Sequence, residues 1–257
     1  MEEALVALAR KSCESPGLLV PADLEPVMSL AGDGALEYTL VLSAFHFINR
    51  IADLLDVDPE ALPAPQRRFE PLRRLSVRIT SRFMRRMDLR NRAYPRTFEE
   101  ATDELVPLLG AAAYDGADAV RAAFEPARPA PWVVEAVKHA ICERDRRSSL
   151  DGATIARIHA VVEDALPCST EEATGFHPRP ADPVDAYAFV GTRYAYRVTE
   201  EMIAALRRSG FDDLSILDLA IAIADANQWA RMYRLLGLPP DLFYLESDRE
   251  AARSVVG

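Results

Sequence analysis

Apolar residues recur every three to four positions along most of the chain, the spacing of helix faces buried on one side. The pattern predicts helices over 2–13, 22–31, 34–56, 67–91, 97–110, 115–124, 130–146, 151–165, 182–195, 199–209, 213–237 and 247–255. No segment alternates apolar and polar residues over six positions between turn signals, so no strand is expected. The chemistry at the predicted ends agrees with the pattern. Pro21 precedes the helix opening at Ala22, and Thr199 is followed by Glu200 and Glu201, an acidic start. Gly210 is a natural stop, and Asp58-Pro59 with Pro63 and Pro65 ends the third helix. Pro and Gly density rises at 125–131 and at 167–183, and the second stretch reads as the longest loop and a mobile one. The pattern as a whole is that of an all-α protein.

Two stretches of this pattern resemble each other. Residues 20–60 and 198–241 each give a short helix, a Gly-containing turn and a long apolar helix ending in a leucine pair. Val20 meets Val198 and Gly32 meets Gly210 at an offset of 178. After a three-residue insertion the offset is 181, and Glu37 meets Asp218, Arg50 meets Arg231, Leu54-Leu55 meets Leu235-Leu236, and Pro59 meets Pro240. The reading is an internal repeat of two units about a pseudo-twofold. Each would bury an apolar helix face that it cannot bury alone. The expected division is an N-terminal helical unit over 1–96 and a second over 97–257.

Composition narrows the picture. The chain has 257 residues, 49% of them hydrophobic, and a net charge of −10, which suits a globular protein and excludes disorder for most of it. Lys11 and Lys138 are the sole lysines, so nearly all the basic charge is arginine. Residues 67–96 hold eleven Arg against Glu70 and Asp88, a local +9 that leaves −19 for the remainder. The helix there places Phe69, Leu72, Ile79, Phe83 and Met87 near one face, with Arg over most of the rest. Its arginines are read as partners for the acidic remainder or for a second subunit. Binding of a small anion and contact with nucleic acid or a membrane are the competing readings. Overall acidity and the lack of interleaved aromatics argue against a nucleic-acid or membrane partner.

The N-terminus MEEALVALARKSCESPG has no apolar core, and the apolar stretches are too short to span a bilayer, so a cytoplasmic location is expected. Cys13, Cys142 and Cys168 are widely spaced, with no C-x-x-C among them.

The segment TEEMIAALRRSGFDDLSILDLAIAIADANQWARMYRLLGL resembles the C-terminal half of alkylhydroperoxidase D-like proteins, the carboxymuconolactone decarboxylase superfamily. SAFHFINRIADLL is similar to that family's long helix. The resemblance covers residues 20–60 and roughly 130–241. It implies an all-helical alkylhydroperoxidase D-like fold and oligomerisation through helix faces. The family's peroxidase branch uses a Glu, eleven further residues, C-x-x-C, and a His four positions after the second Cys. From Glu135 that spacing falls on Arg147, Leu150 and Thr154, so only the Glu is kept. A thiol peroxidase needs a low-pKa thiolate and a resolving thiol within reach. Such chemistry here would require the distant Cys142 and Cys168 to meet. The decarboxylase branch implied by the resemblance works without cysteines, by acid–base chemistry and without a cofactor.

Candidate chemistry gathers on the helix over 34–56. His46, Asn49, Arg50 and Asp53 fall at i, i+3, i+4 and i+7, on one face. Arg50 is the expected anchor for a substrate carboxylate and His46 the acid or base, with Asp53 and Glu135 as further catalytic candidates. Asn49, Asn227 and Arg231 are candidate substrate-binding residues, as is His177 in the 167–183 loop. The competing reading makes Arg50 a partner of Asp53 and His46 a core histidine. In the second copy Asn227 replaces the His. His139 with Glu143 and His159 with Glu163 could each supply two metal ligands, but no third ligand stands at motif spacing, so no metal is expected. The leading expectation is an enzyme, lyase or isomerase in type, acting on a small carboxylated or oxidised metabolite as a homo-oligomer. The alternative is a non-catalytic helical scaffold or partner-binding protein.

Overall fold

A computed structural model describes residues 2–32, 34–56, 97–109, 117–129, 131–147, 149–167 and 181–237. The predicted helices over 67–91 and 247–255, and His177, lie outside the described residues. So do the side chains of Cys142, Glu143 and Cys168.

Every described element is helical. In chain order they are α1 (Glu2–Glu14), α2 (Glu25–Ala31), α3 (Gly34–Leu54), α4 (Phe98–Leu105), α5 (Ala117–Phe124), α6 (Pro131–Arg147), α7 (Gly152–Ala165), α8 (Pro183–Tyr194), α9 (Glu200–Arg208) and α10 (Asp213–Leu236). Short 3-10 turns at Pro16–Leu18, Pro21–Asp23, Val106–Leu109, Glu125–Ala127 and Ala195–Arg197 link them. The all-α expectation therefore holds for the described residues. Where the pattern predicts one helix over 97–110, its last turn tightens to 3-10 at Val106–Leu109, with Pro107 inside it. Among the described residues no helix is long and apolar enough to cross a membrane.

Local chemistry fixes the helix starts. Thr97 and Glu100 form a reciprocal capping box on α4. Asp151, Asp182, Thr199 and Asp212 accept backbone N–H groups at the starts of α7, α8, α9 and α10. At the other end of α10, Gly237 takes the left-handed conformation, φ +69°, that closes a helix.

By contacts, the described residues belong to one compact unit. Within it α3 packs along α10. α10 is the most deeply buried helix, with Leu219, Ala220, Ile223, Ala224, Trp229 and Ala230 at most 1% exposed. It also packs on α7 and α8, while α4 packs on α6. Gly191 lets α8 approach closely. A Cβ there would lie 2.8 Å from Leu54 Cδ2 and 3.2 Å from Ile223 Cγ2, so a side chain would push α3 and α10 away.

Candidate active site

α3 carries its polar stripe toward the ends of α1 and α8. His46, Asn49, Arg50 and Asp53 all line one pocket of about 170 Å³, as the spacing on the helix requires. The opposite wall comes from Cys13 of α1, Arg193 of α8, Ala195 and Tyr196 of the turn that follows, and Arg231 of α10. His46 Nε2 lies 2.8 Å from the hydroxyl of Ser12, a buried residue near the end of α1.

The two matched arginines act in parallel. Arg50 donates from Nε to the Gly191 carbonyl at 2.8 Å and from Nη2 to the Thr192 carbonyl at 2.9 Å, in the last turn of α8. Arg231 donates from Nε to the Ser12 carbonyl at 3.1 Å, in the last turn of α1. Its Nη1 reaches the carbonyl of Asn227 at 2.8 Å and the side-chain oxygen at 3.2 Å. Each arginine thus satisfies carbonyls that a helix end leaves open. Each also keeps one nitrogen in reserve. Nη1 of Arg50 and Nη2 of Arg231 have no hydrogen-bond partner among the described residues, and neither is sealed from the pocket. Arg193 donates from Nη1 to the Leu166 carbonyl at 3.2 Å, and its Nε is buried without a partner among the described residues. None of the three makes a carboxylate salt bridge among the described residues.

The electrostatics follow from that crowding. Burial is the largest influence on Arg50 and lowers it to about 10, partly offset by Asp53. Burial and the nearby Arg50 charge push Arg231 well below the usual arginine value. His46 is pulled down to about 3, first by burial and then by Arg231 and Arg50. Its ring is therefore neutral in the empty pocket near pH 7, while Arg50 stays charged.

The other sequence candidates sit elsewhere. Asn227 is fully buried behind the pocket, where its amide nitrogen donates to Thr192 Oγ1 and to the Ile223 carbonyl. It orients Arg231 and does not line the cavity. Glu135 is on α6, paired with Lys138 at 2.7 Å, with its second oxygen buried and without a partner among the described residues. The pocket does not include it. Arg50 is not ion-paired with Asp53, which is exposed at the rim. Glu163 is engaged by Tyr233 and Arg234, and no group of three potential metal ligands exists among the described residues.

Ser12, which bonds His46, and the wall residues Cys13, Arg193, Ala195 and Tyr196 are what sequence reasoning misses. At the offset of 178 that relates the two similar stretches Ser12 would fall on Val190, so their comparison does not find it. A larger groove of about 960 Å³ lies by Leu54, Ile203 and Ile216, but its arginine, Arg207, is already paired with Asp213.

Comparison of the chain with protein-family models, curated proteins and solved structures returns no match.

Proposed function

We propose that this protein binds a small carboxylated metabolite in the α3 pocket and acts on it by acid–base chemistry, as a lyase or isomerase needing no cysteine pair. The observation that carries the reading is the pair of guanidiniums, each with one uncommitted Nη, beside His46 in one pocket of about 170 Å³. A buried cation without a carboxylate is costly unless something anionic joins it. Arg50 and Arg231 are then the anchors, His46 the proton carrier, and Asn49 and Asp53 the polar rim. The alkylhydroperoxidase D-like ancestry and the internal repeat belong to the same proposal. The repeat is supported by the reciprocal bonds, in which Arg50 of α3 holds the end of α8 and Arg231 of α10 holds the end of α1, while the ancestry rests on the sequence resemblance alone.

The test is proton chemistry on carbon. Wild-type protein and His46→Ala are incubated in D₂O with a series of small 2-oxo and 3-oxo carboxylates and followed by NMR. Wild type is expected to speed deuterium exchange or carbon dioxide loss about 100-fold or more over His46→Ala, the usual contribution of a placed acid or base. The variant should melt within a few degrees of wild type. Activity intact in His46→Ala, together with a melting point several degrees lower, makes His46 a core residue.

A second reading, a scaffold that assembles through helix faces, is favoured by Val41, Phe45 and Ile48. They stand at i, i+4 and i+7 on α3 and are 53%, 60% and 57% exposed. It predicts self-association that Phe45→Glu disrupts. Sedimentation as a monomer at every protein concentration removes it.

A further inference from the structure

Titratable groups line the His46 pocket from every element around it. Arg50 and Asp53 come from its own helix, α3. Cys13 comes from α1, Arg193 and Tyr196 from α8 and the turn behind it, and Arg231 from α10. Three arginines against Asp53 leave a formal +2, and Asp53 is exposed, so water screens the single negative charge. The residues of the pocket by themselves therefore repel a proton. A small anion touching Nη1 of Arg50 and Nη2 of Arg231 would cancel the two charges nearest the imidazole. The cavity, about 170 Å³, holds the equivalent of about five or six waters, enough for a sulfate or a short dicarboxylate.

We propose that the pocket takes up a small dianion together with one proton from solvent, and that His46 carries the proton. The proposal rests on the reading that the pocket binds a small anion, and it adds the ligand's charge and the state of the acid. Ser12 is suited to the exchange. A hydroxyl donates to a neutral Nε2 or accepts from a protonated one, so the 2.8 Å contact survives either state. The Ser12 carbonyl is held by Arg231, which fixes the backbone that carries that hydroxyl. Two of the three causes that keep the free imidazole neutral, Arg231 and Arg50, are removed by the ligand, whereas burial stays. The site thus loads its general acid only when a substrate is present to receive the proton.

Sulfate is the probe, because it keeps both charges through the mildly acidic range. The imidazole C–H signals of wild-type protein are followed by NMR between about pH 7.5 and 4.5, with and without saturating sulfate, the range in which an ordinary histidine titrates. The His46 signal is identified by its loss in His46→Gln. In free protein it should keep its neutral position throughout. With sulfate it should move to the protonated position below about pH 6, a rise of two units or more from the free state. Calorimetric titration at about pH 5.5 in two buffers of different ionisation heat should show uptake of about one proton per sulfate. Sulfate binding with an unmoved His46 signal overturns the proton uptake and leaves the anion pocket standing. No binding of either sulfate or malonate overturns both.

Discussion

The long helices α3 and α10 carry matched arginines in unlike surroundings. Along α10 most residues from Leu219 to Leu235 are buried, and Arg231 is 3% exposed. α3 buries Ala35, Leu36, Thr39, Ser43, Ala52 and Leu54 but leaves Val41, Phe45, Ile48, Asn49 and Asp53 to solvent. Asn227 sits in the core where the matching position on α3 places His46 at a pocket wall. The difference teaches a division of labour. One helix organises the core and the other presents the groups that can change protonation.

The largest test of that division removes each arginine in turn. Arg231→Ala leaves the Ser12 carbonyl and Asn227 without their donor and opens a cavity in the core, at a cost of about 3–4 kcal/mol. Arg50→Ala also frees two carbonyls, but at the pocket edge where water can replace the guanidinium, so about 1–2 kcal/mol is expected. Urea midpoints of the two variants measure the contrast. Equal losses would mean that the helices share the structural role.

The next test probes how closely α8 approaches α3 and α10. Gly191→Ala sets a methyl against Leu54 and Ile223, and the overpacking should cost about 2 kcal/mol. It should also shift the Gly191 carbonyl that Arg50 binds, weakening any anion binding in the same variant. A stable variant with unchanged midpoint would show that α8 has room to move.

Much of this was legible in the sequence. Helical periodicity placed the ten described helices within a few residues of their ends, because caps such as Thr199 and stops such as Gly210 are local. The stripe from His46 to Asp53 was legible for the same reason, since helix geometry alone puts those residues on one face. What periodicity does not carry is the partner across the gap. Ser12 is 34 residues from His46 in sequence, and Arg193 reaches the pocket from a helix with no motif of its own. Glu135 stood out by an analogy of spacing, yet Lys138 and His139 one turn later give it ordinary helix neighbours. Asn227 was read as a substrate contact because it matches His46. Packing around α10 makes it an orienter of Arg231 instead.

The last effect bears most directly on why α3 and α10 differ. His46→Asn gives α3 the residue that α10 has at Asn227. Unfolded chains take up a proton on histidine near pH 6.5, whereas native His46 resists it until about 3. Between these values the unfolded state holds more protons, so wild-type stability falls as pH drops through that window and is unaffected by this group above it. Asparagine does not titrate, so the variant should lose less. Relative to its value at pH 7.5, its stability at pH 5 should exceed that of wild type by up to about 2 kcal/mol, one proton's linkage over the interval from about 6.5 to 5. Urea midpoints at the two pH values decide it. An equal drop in both proteins means that the native imidazole titrates as freely as the unfolded one, which the crowding by Arg231 and Arg50 forbids. If the acid limb flattens as expected, His46 on α3 carries a cost in acid stability that Asn227 on α10 does not, and the proposed use of its proton is what offsets that cost.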